Sequence, residues 1–155
     1  MKRLSWKYVA GLMDGEGCID LQHIYHKEYP DKHYFTPRIR ITLVESCGFL
    51  LELLQNNYGG GYGISVRNFD NPKWQNASTW TIQGKRIRPF LQNIVNHMYL
   101  KKEQAKFCIW LIDNVMGKCV ETEIRKNIHD ELKAMKRDPH RLSEKAVERI
   151  SALMR

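Results

Sequence analysis

Val9-Ala10-Gly11-Leu12-Met13-Asp14-Gly15-Glu16-Gly17 is the stretch that decides how this chain is read. It follows a short helix expected over Ser5 to Met13, with Ser5 as an N-cap whose hydroxyl accepts from a first-turn amide. Two of its features run against ordinary helix chemistry. Ala10 and Gly11 stand side by side inside the helix, where glycine costs up to about 1 kcal/mol relative to alanine. That cost is tolerable where a second helix approaches closely. Asp14 and Glu16 fall at the helix C-terminus, where the peptide dipoles already place partial negative charge, so the carboxylates repel the dipole and each other. A divalent cation would reverse that penalty, because carboxylate and carbonyl oxygens are hard ligands suited to Mg2+. Without further context, the same pair also reads as an exposed turn.

Outward from this stretch, the pattern alternates between strands and helices. Strands are expected over Cys18–His26 and Tyr34–Val44, separated by a Pro-, Asp- and Lys-rich loop. A helix over Phe49–Tyr58 is stopped by Gly59-Gly60-Gly61. Two more strands, Gly63–Phe69 and Ser78–Gln83, precede helices over Ile87–Met98 and Lys101–Val115, and two amphipathic helices follow Gly117. The order is αββαββα with a helical tail: an α+β fold, its antiparallel sheet covered by helices on one face. The whole chain, 1–155, reads as one domain with a core over about 4–115 and a tail over about 118–155.

The other face of the sheet is polar and basic. Period-two alternation puts Tyr34, Thr36, Arg38 and Arg40 on one side of the second strand and Phe35, Ile39, Ile41 and Leu43 on the other. Asp20, Gln22 and Ile24 share a side of the first strand, and Ser65 and Arg67 share a side of the third. Such a face fits either solvent or a groove of duplex DNA, where Arg reads guanine and Gln reads adenine. Lys and Arg number 25 against 17 Asp and Glu, a formal charge of +8, which favours polyanionic partners. No apolar run approaches the roughly 20 residues of a bilayer span. Lys7, Asp14 and Glu16 break up any leader-like start, so a non-secreted, intracellular protein is expected. Cys18, Cys47, Cys108 and Cys119 form no zinc-spaced pair and are expected to be buried, reduced thiols. The glycine run at 59–63 has no Lys-Ser/Thr after it and is not a phosphate loop. Charges in the tail are nearly balanced and read as solvated helix faces.

Val9 to Gly17 closely resembles the motif that names the LAGLIDADG homing endonuclease family. Val replaces the first Leu, Met replaces Ile, Gly15 replaces the second Ala, and Glu16 stands for the final Asp. The order of strands and helices that follows, with Lys101-Lys102-Glu103-Gln104-Ala105 near its end, extends the resemblance over roughly Leu4 to Val115. The resemblance implies a homodimeric, intron-encoded DNA endonuclease that cuts a long pseudo-palindromic duplex and leaves short 3′ overhangs. The sheet would act as a DNA-binding saddle. It implies motif helices packed through Ala10 and Gly11, with Asp14 as a structural or dimer contact. Glu16 and the Gly15 carbonyl would bind the metal, and Glu16 and Lys101 would be the catalytic pair. Mg2+ is the implied cofactor, with Mn2+ as a substitute and Ca2+ binding without cleavage. The implied DNA-contacting residues are Gln22, Ile24, Tyr34, Thr36, Arg38, Arg40, Ser65 and Arg67. An organelle or a prokaryotic cytoplasm is the implied location. Leu43 departs from the pattern, standing where family members often carry a polar residue, commonly Gln. An RNA-splicing maturase and a non-cleaving DNA-binding protein on the same scaffold are the rival readings.

Overall fold

A computed structural model describes residues 2–24, 26–30, 34–66, 70–71 and 73–155. The chain begins with helix α1 (Trp6–Glu16), and Ser5 Oγ accepts from Tyr8 N at 3.2 Å, as the N-cap reading expected. The helix runs one turn further than expected and takes Asp14, Gly15 and Glu16 into its last turn. Gly17 ends it for a steric reason: a Cβ there would lie 2.5 Å from the Met13 side chain and 2.7 Å from its carbonyl.

Strands β1 (Gly17–Ile24) and β2 (Tyr34–Val44) form an antiparallel pair, with Asp20 opposite Arg38 and Gln22 opposite Thr36. Helix α2 (Gly48–Tyr58) leads to β3 (Gly61–Ser65), which pairs with β4 (Ala77–Gln83). The sheet order is β1-β2-β4-β3, so β1 and β3 are its edges. The third strand begins at Gly61, two residues before the expected start, and ends at Ser65, while Arg67 lies outside the described residues. Gly60 adopts φ +90° between α2 and β3, where a Cβ would strike the Trp80 ring nitrogen and the Thr81 carbonyl. This tight turn lets Trp80 Nε1 donate to Gly59 O at 2.8 Å.

The helix expected over Ile87–Met98 is instead α3 (Ile87–Ile94) followed by a 3₁₀ turn over Val95–His97. Helices α4 (Lys102–Asn114), α5 (Thr122–Arg137) and α6 (Ser143–Leu153) complete the chain. All helices lie on one side of the sheet, over two clusters of buried side chains. The first joins Val9, Ala10 and Met13 of α1 to Ile39, Ile41, Trp80 and the apolar faces of α2, α3 and α4. The second joins Leu21 and Phe35 to Leu111, Ile128, Leu132 and Ile150, fixing the tail helices to the β1–β2 end of the sheet. Burial of this kind, at roughly 25 cal/mol per Å² of apolar surface, is the main force holding the two layers together. Glu131 of α5, whose side chain is 10% exposed, accepts from both Arg141 and Arg149, which locks α5 to α6.

Of the four tryptophans, Trp80 is fully buried, Trp6 stacks on Tyr58 and Trp110 on Phe107, and Trp74 is exposed. All four cysteines are free, but only Cys108 is buried, which corrects the expectation of four buried thiols. The exposed ones lie in turns and at a helix start, where no core was built over them. Among the described residues, no helix is long and apolar enough to cross a membrane.

Candidate active site and nucleic-acid interface

The end of α1 is held by the segment that precedes α4. Tyr99 N donates to Asp14 Oδ2 at 2.6 Å and Lys101 N to Asp14 Oδ1 at 2.9 Å. Lys101 Nζ donates in return to the carbonyls of Met13, at 3.0 Å, and of Asp14. This is a C-cap by a cation: the orphan carbonyls of the last turn meet an ammonium, and the dipole favours it there. Burial pushes the Lys101 ammonium below its usual pKa, while Asp14, Cys18 and Glu16 pull it back up. Asp14 is therefore an intrachain brace that positions Lys101. Its carboxylate is occupied by the chain's own amides, which argues against a role in contacting a second chain.

Glu16 ends α1 two residues beyond Asp14, whose carbonyl accepts from Lys101 Nζ, and the Glu16 charge raises the Lys101 pKa. The Glu16 carboxylate is exposed and makes no hydrogen bond or ion pair among the described residues. Its neighbour Gly15 is also exposed, with nothing within 4 Å of where a Cβ would stand. These hard oxygen donors fit a divalent cation. They do not complete a site alone: among the described residues no group of three His, Cys, Asp or Glu side chains could hold a metal.

Ala10 is a correction. It is 0% exposed and packed into its own chain's core beside Val9 and Met13, so it is not available to a second helix. Gly11 does face outward, on the same side of α1 as Gly15, four residues on. A Cβ at Gly11 would meet nothing within 4 Å. The small-residue face of α1 is thus Gly11 and Gly15.

The sheet face opposite the helices carries the side chains expected there. Along β2, Tyr34, Thr36, Arg38 and Arg40 are half-buried while Phe35, Pro37, Ile39 and Ile41 are buried. Gln22 and Ile24 lie opposite Thr36 and Tyr34 on the same face, and Ser65 is exposed at the far edge. The register adds what the alternation alone did not. Asp20, opposite Arg38, accepts from Arg38 Nε and Nη2 at 2.9 and 3.0 Å and from Arg40 Nη2 at 2.7 Å. One carboxylate thus engages both arginines of the face. Desolvation opposes ionisation of Asp20, but its arginine partners win and hold the carboxyl below its ordinary value. The sheet's second half is smooth: Gly61, Gly63 and Ser65 stand opposite Thr81, Thr79 and Ala77. Thr79, Thr81 and Gln83 continue the polar face, and the same period-two rule applied to β4 would have found them. Leu43 faces the helix side and packs against the first core, while Thr42, hydrogen-bonded to Thr79 at 3.0 Å, takes the exposed side. Glu45, just beyond β2, accepts from Asn76 Nδ2 at 2.8 Å.

Comparison with known proteins agrees with this geometry. A family model described as LAGLIDADG endonuclease matches residues 9–111. Two solved structures of the homing endonuclease I-CvuI, in complex with its own target in Ca or with the I-CreI target in Mg, align with 94% of this chain and 94% of theirs, at TM-scores of 0.65 and 0.66 and identities of 19% and 18%. The archaeal intron-encoded homing endonuclease I-Vdi141I, complexed with DNA, aligns over 95% of this chain and 94% of its own, with TM-score 0.63 and 14% identity. At these identities the structures establish the α+β fold. No curated protein is significantly similar in sequence. With the motif at the end of α1, its following sheet and Lys101 all inside the matched span, the chain belongs to the LAGLIDADG endonuclease family.

Proposed function

We propose that this protein is a homodimeric, Mg2+-dependent homing endonuclease that hydrolyses both strands of a long, pseudo-palindromic DNA site. The observation that carries the reading is Lys101 Nζ seated on the Met13 and Asp14 carbonyls at the end of α1, the turn that carries Glu16 and leads directly into β1. One chain offers one suitably placed carboxylate, and a nuclease that cuts two strands needs two. A two-fold axis along the Gly11–Gly15 face of α1 brings the second copy of Glu16 to the first. Supporting this, homing endonucleases of the same fold, I-CvuI and I-Vdi141I, have been crystallised on DNA, I-CvuI in the presence of Ca or Mg.

When bound, the metal supplies charge stabilisation for the attacking and leaving oxygens of the phosphodiester. The chain's own groups do the rest. Glu16 and the Gly15 carbonyl would hold the cation. Lys101 has three N–H donors, of which two are fixed on the Met13 and Asp14 carbonyls. The third is left for the water or phosphate oxygen at the reacting centre, where it offsets developing negative charge. Because two bonds fix the ammonium, little side-chain freedom is lost when the third forms. The sheet then lies in the major groove, with Gln22, Ile24, Tyr34, Thr36, Arg38, Arg40 and Ser65 toward the bases. Arg67, outside the described residues, is carried forward on the sequence pattern alone.

The test is selection of cut molecules from a randomised duplex library in Mg2+. A defined, roughly palindromic consensus supports the proposal. Protein that enriches duplexes without cutting them is a DNA-binding module instead, and preferential RNA binding identifies a maturase.

A further inference from the structure

The sheet face is less cationic than its sequence suggests, because Asp20 engages both Arg38 and Arg40. The free positive charge lies elsewhere. Helix α5 runs beside the edge strand β1, seated by Leu21 and Phe35 against Ile128, Leu132 and Met135. A groove between the two elements is lined by Asp20 and Leu21 on one side and by His129, Asp130, Leu132, Lys133 and Lys136 on the other. Arg125, Lys133 and Lys136 flank this groove at helical spacing, and among the described residues none of the three forms an ion pair. The acid of α5 that faces the other way, Glu131, is already neutralised by Arg141 and Arg149. His129 sits between Arg125 and Lys133, and burial and then Arg125 lower its pKa from the usual histidine value.

The row has a direction. At its far end Lys136 Nζ donates to Cys18 Sγ at 3.5 Å, and its charge is felt by Lys101 and Asp20. Cys18 follows Glu16 by two residues, so the row ends beside the candidate site at the end of α1. From Arg125 to Lys136 the helix rises about 16 Å, the rise of about five nucleotides along one DNA strand.

We propose that α5 is a second DNA-contacting element, a track on which Arg125, Lys133 and Lys136 hold the sugar–phosphate backbone along the edge of β1 up to the cleaved phosphate. This rests on the DNA-binding reading of the sheet and adds a role for the tail that its balanced charges concealed. Phosphates are the matching chemistry because Arg125, Lys133 and Lys136 put three long cationic side chains on one face of α5, and none of them is in an ion pair among the described residues.

The experiment measures salt-dependent binding of the full chain to a random-sequence duplex and to a selected target, without divalent metal. The variants are Arg125→Gln/Lys133→Gln/Lys136→Gln and, since Arg125 is half-buried, Lys133→Gln/Lys136→Gln at two exposed positions. Each lost phosphate contact removes roughly 0.9 from the slope of log K against log salt, so slopes should fall by about 2.7 and about 1.8. Affinity should fall by the same factor on both duplexes. A charge-matched control, Lys118→Gln/Lys145→Gln/Arg155→Gln, removes exposed cations away from the groove and should leave the slope unchanged. An unchanged slope in the α5 variants overturns the proposal, as does a loss confined to the selected target. Wild-type protein that fails to bind either duplex overturns the DNA-binding reading and this inference with it.

Discussion

Replacing Asp14 by alanine tests whether the last turn of α1 is braced as described. The carboxylate accepts from two backbone amides, Tyr99 N and Lys101 N, and is half-buried. Hydrogen bonds to a charged group contribute about 1.5–3 kcal/mol each, and partial exposure places these at the lower end, so Asp14→Ala should cost about 3 kcal/mol. For a chain of this size each kcal/mol lowers Tm by about 2–4 °C, giving a fall of about 6–12 °C. Asp14→Asn keeps one acceptor oxygen and should lose about half as much. The functional consequence is separable. Lys101 keeps its own bonds to the Met13 and Asp14 carbonyls, but its backbone is no longer anchored, so cleavage should fall while duplex binding holds. Lys101→Met should show the larger loss, about 10²–10³ in cleavage rate, the scale of removing one charge-stabilising donor. Differential scanning fluorimetry with a single-turnover cleavage assay reads both quantities. An Asp14→Ala protein that melts within about 1 °C of wild type and cleaves normally would refute the brace.

Three further outcomes are expected. Asp20→Asn frees Arg38 and Arg40 from their shared carboxylate, so random-sequence duplex should bind more tightly and with a steeper salt slope, and discrimination at the facing base pairs should relax by about 1–3 kcal/mol; unchanged selectivity would mean that Asp20 does not orient the arginines. Gly11→Arg meets open space within one chain, so the protein should stay folded but become monomeric by light scattering and lose double-strand cleavage, whereas a persistent dimer would place the interface elsewhere. Asp20, Glu103 and Glu131 have carboxyl groups that burial pushes up but their partners pull further down. Depressed folded-state values give stability that is present above the unfolded carboxylate range, near pH 4, and lost as pH falls below it. Acid titration followed by circular dichroism should therefore show unfolding below about pH 4, with a shallower dependence in Glu131→Gln.

Local patterns in the chain made much of this legible. The alternation of β2 from Tyr34 to Ile41 needs only the period of a strand, and the structure keeps it. The motif at the end of α1 and Lys101 could be named as a pair because the family pattern places them. The face of α1 was harder. Val9, Ala10, Leu12 and Met13 are all apolar or small, so the helical phase that buries Ala10 and exposes Gly11 is set by contacts with Ile39 and Trp80 rather than by the helix's own sequence. Asp20 was visible as an acid on a basic face, but its ion pairs depend on the strand register that places it opposite Arg38. The place of α5 beside β1 comes from packing between residues more than a hundred positions apart in sequence, such as Lys136 and Cys18, and no local pattern carries it.

On the proposed mechanism, each chain contributes one Glu16 to a two-fold site that cuts both strands. Mapping the ends produced from a selected duplex in Mg2+, by wild-type protein and by Glu16→Gln, tests it most directly. The claim requires one cut in each strand, placed symmetrically about the centre of the consensus and offset to leave short 3′ overhangs, with Glu16→Gln binding the same duplex and cutting neither strand. Cuts by Glu16→Gln at the same positions, or a wild-type product nicked in one strand only, would contradict it.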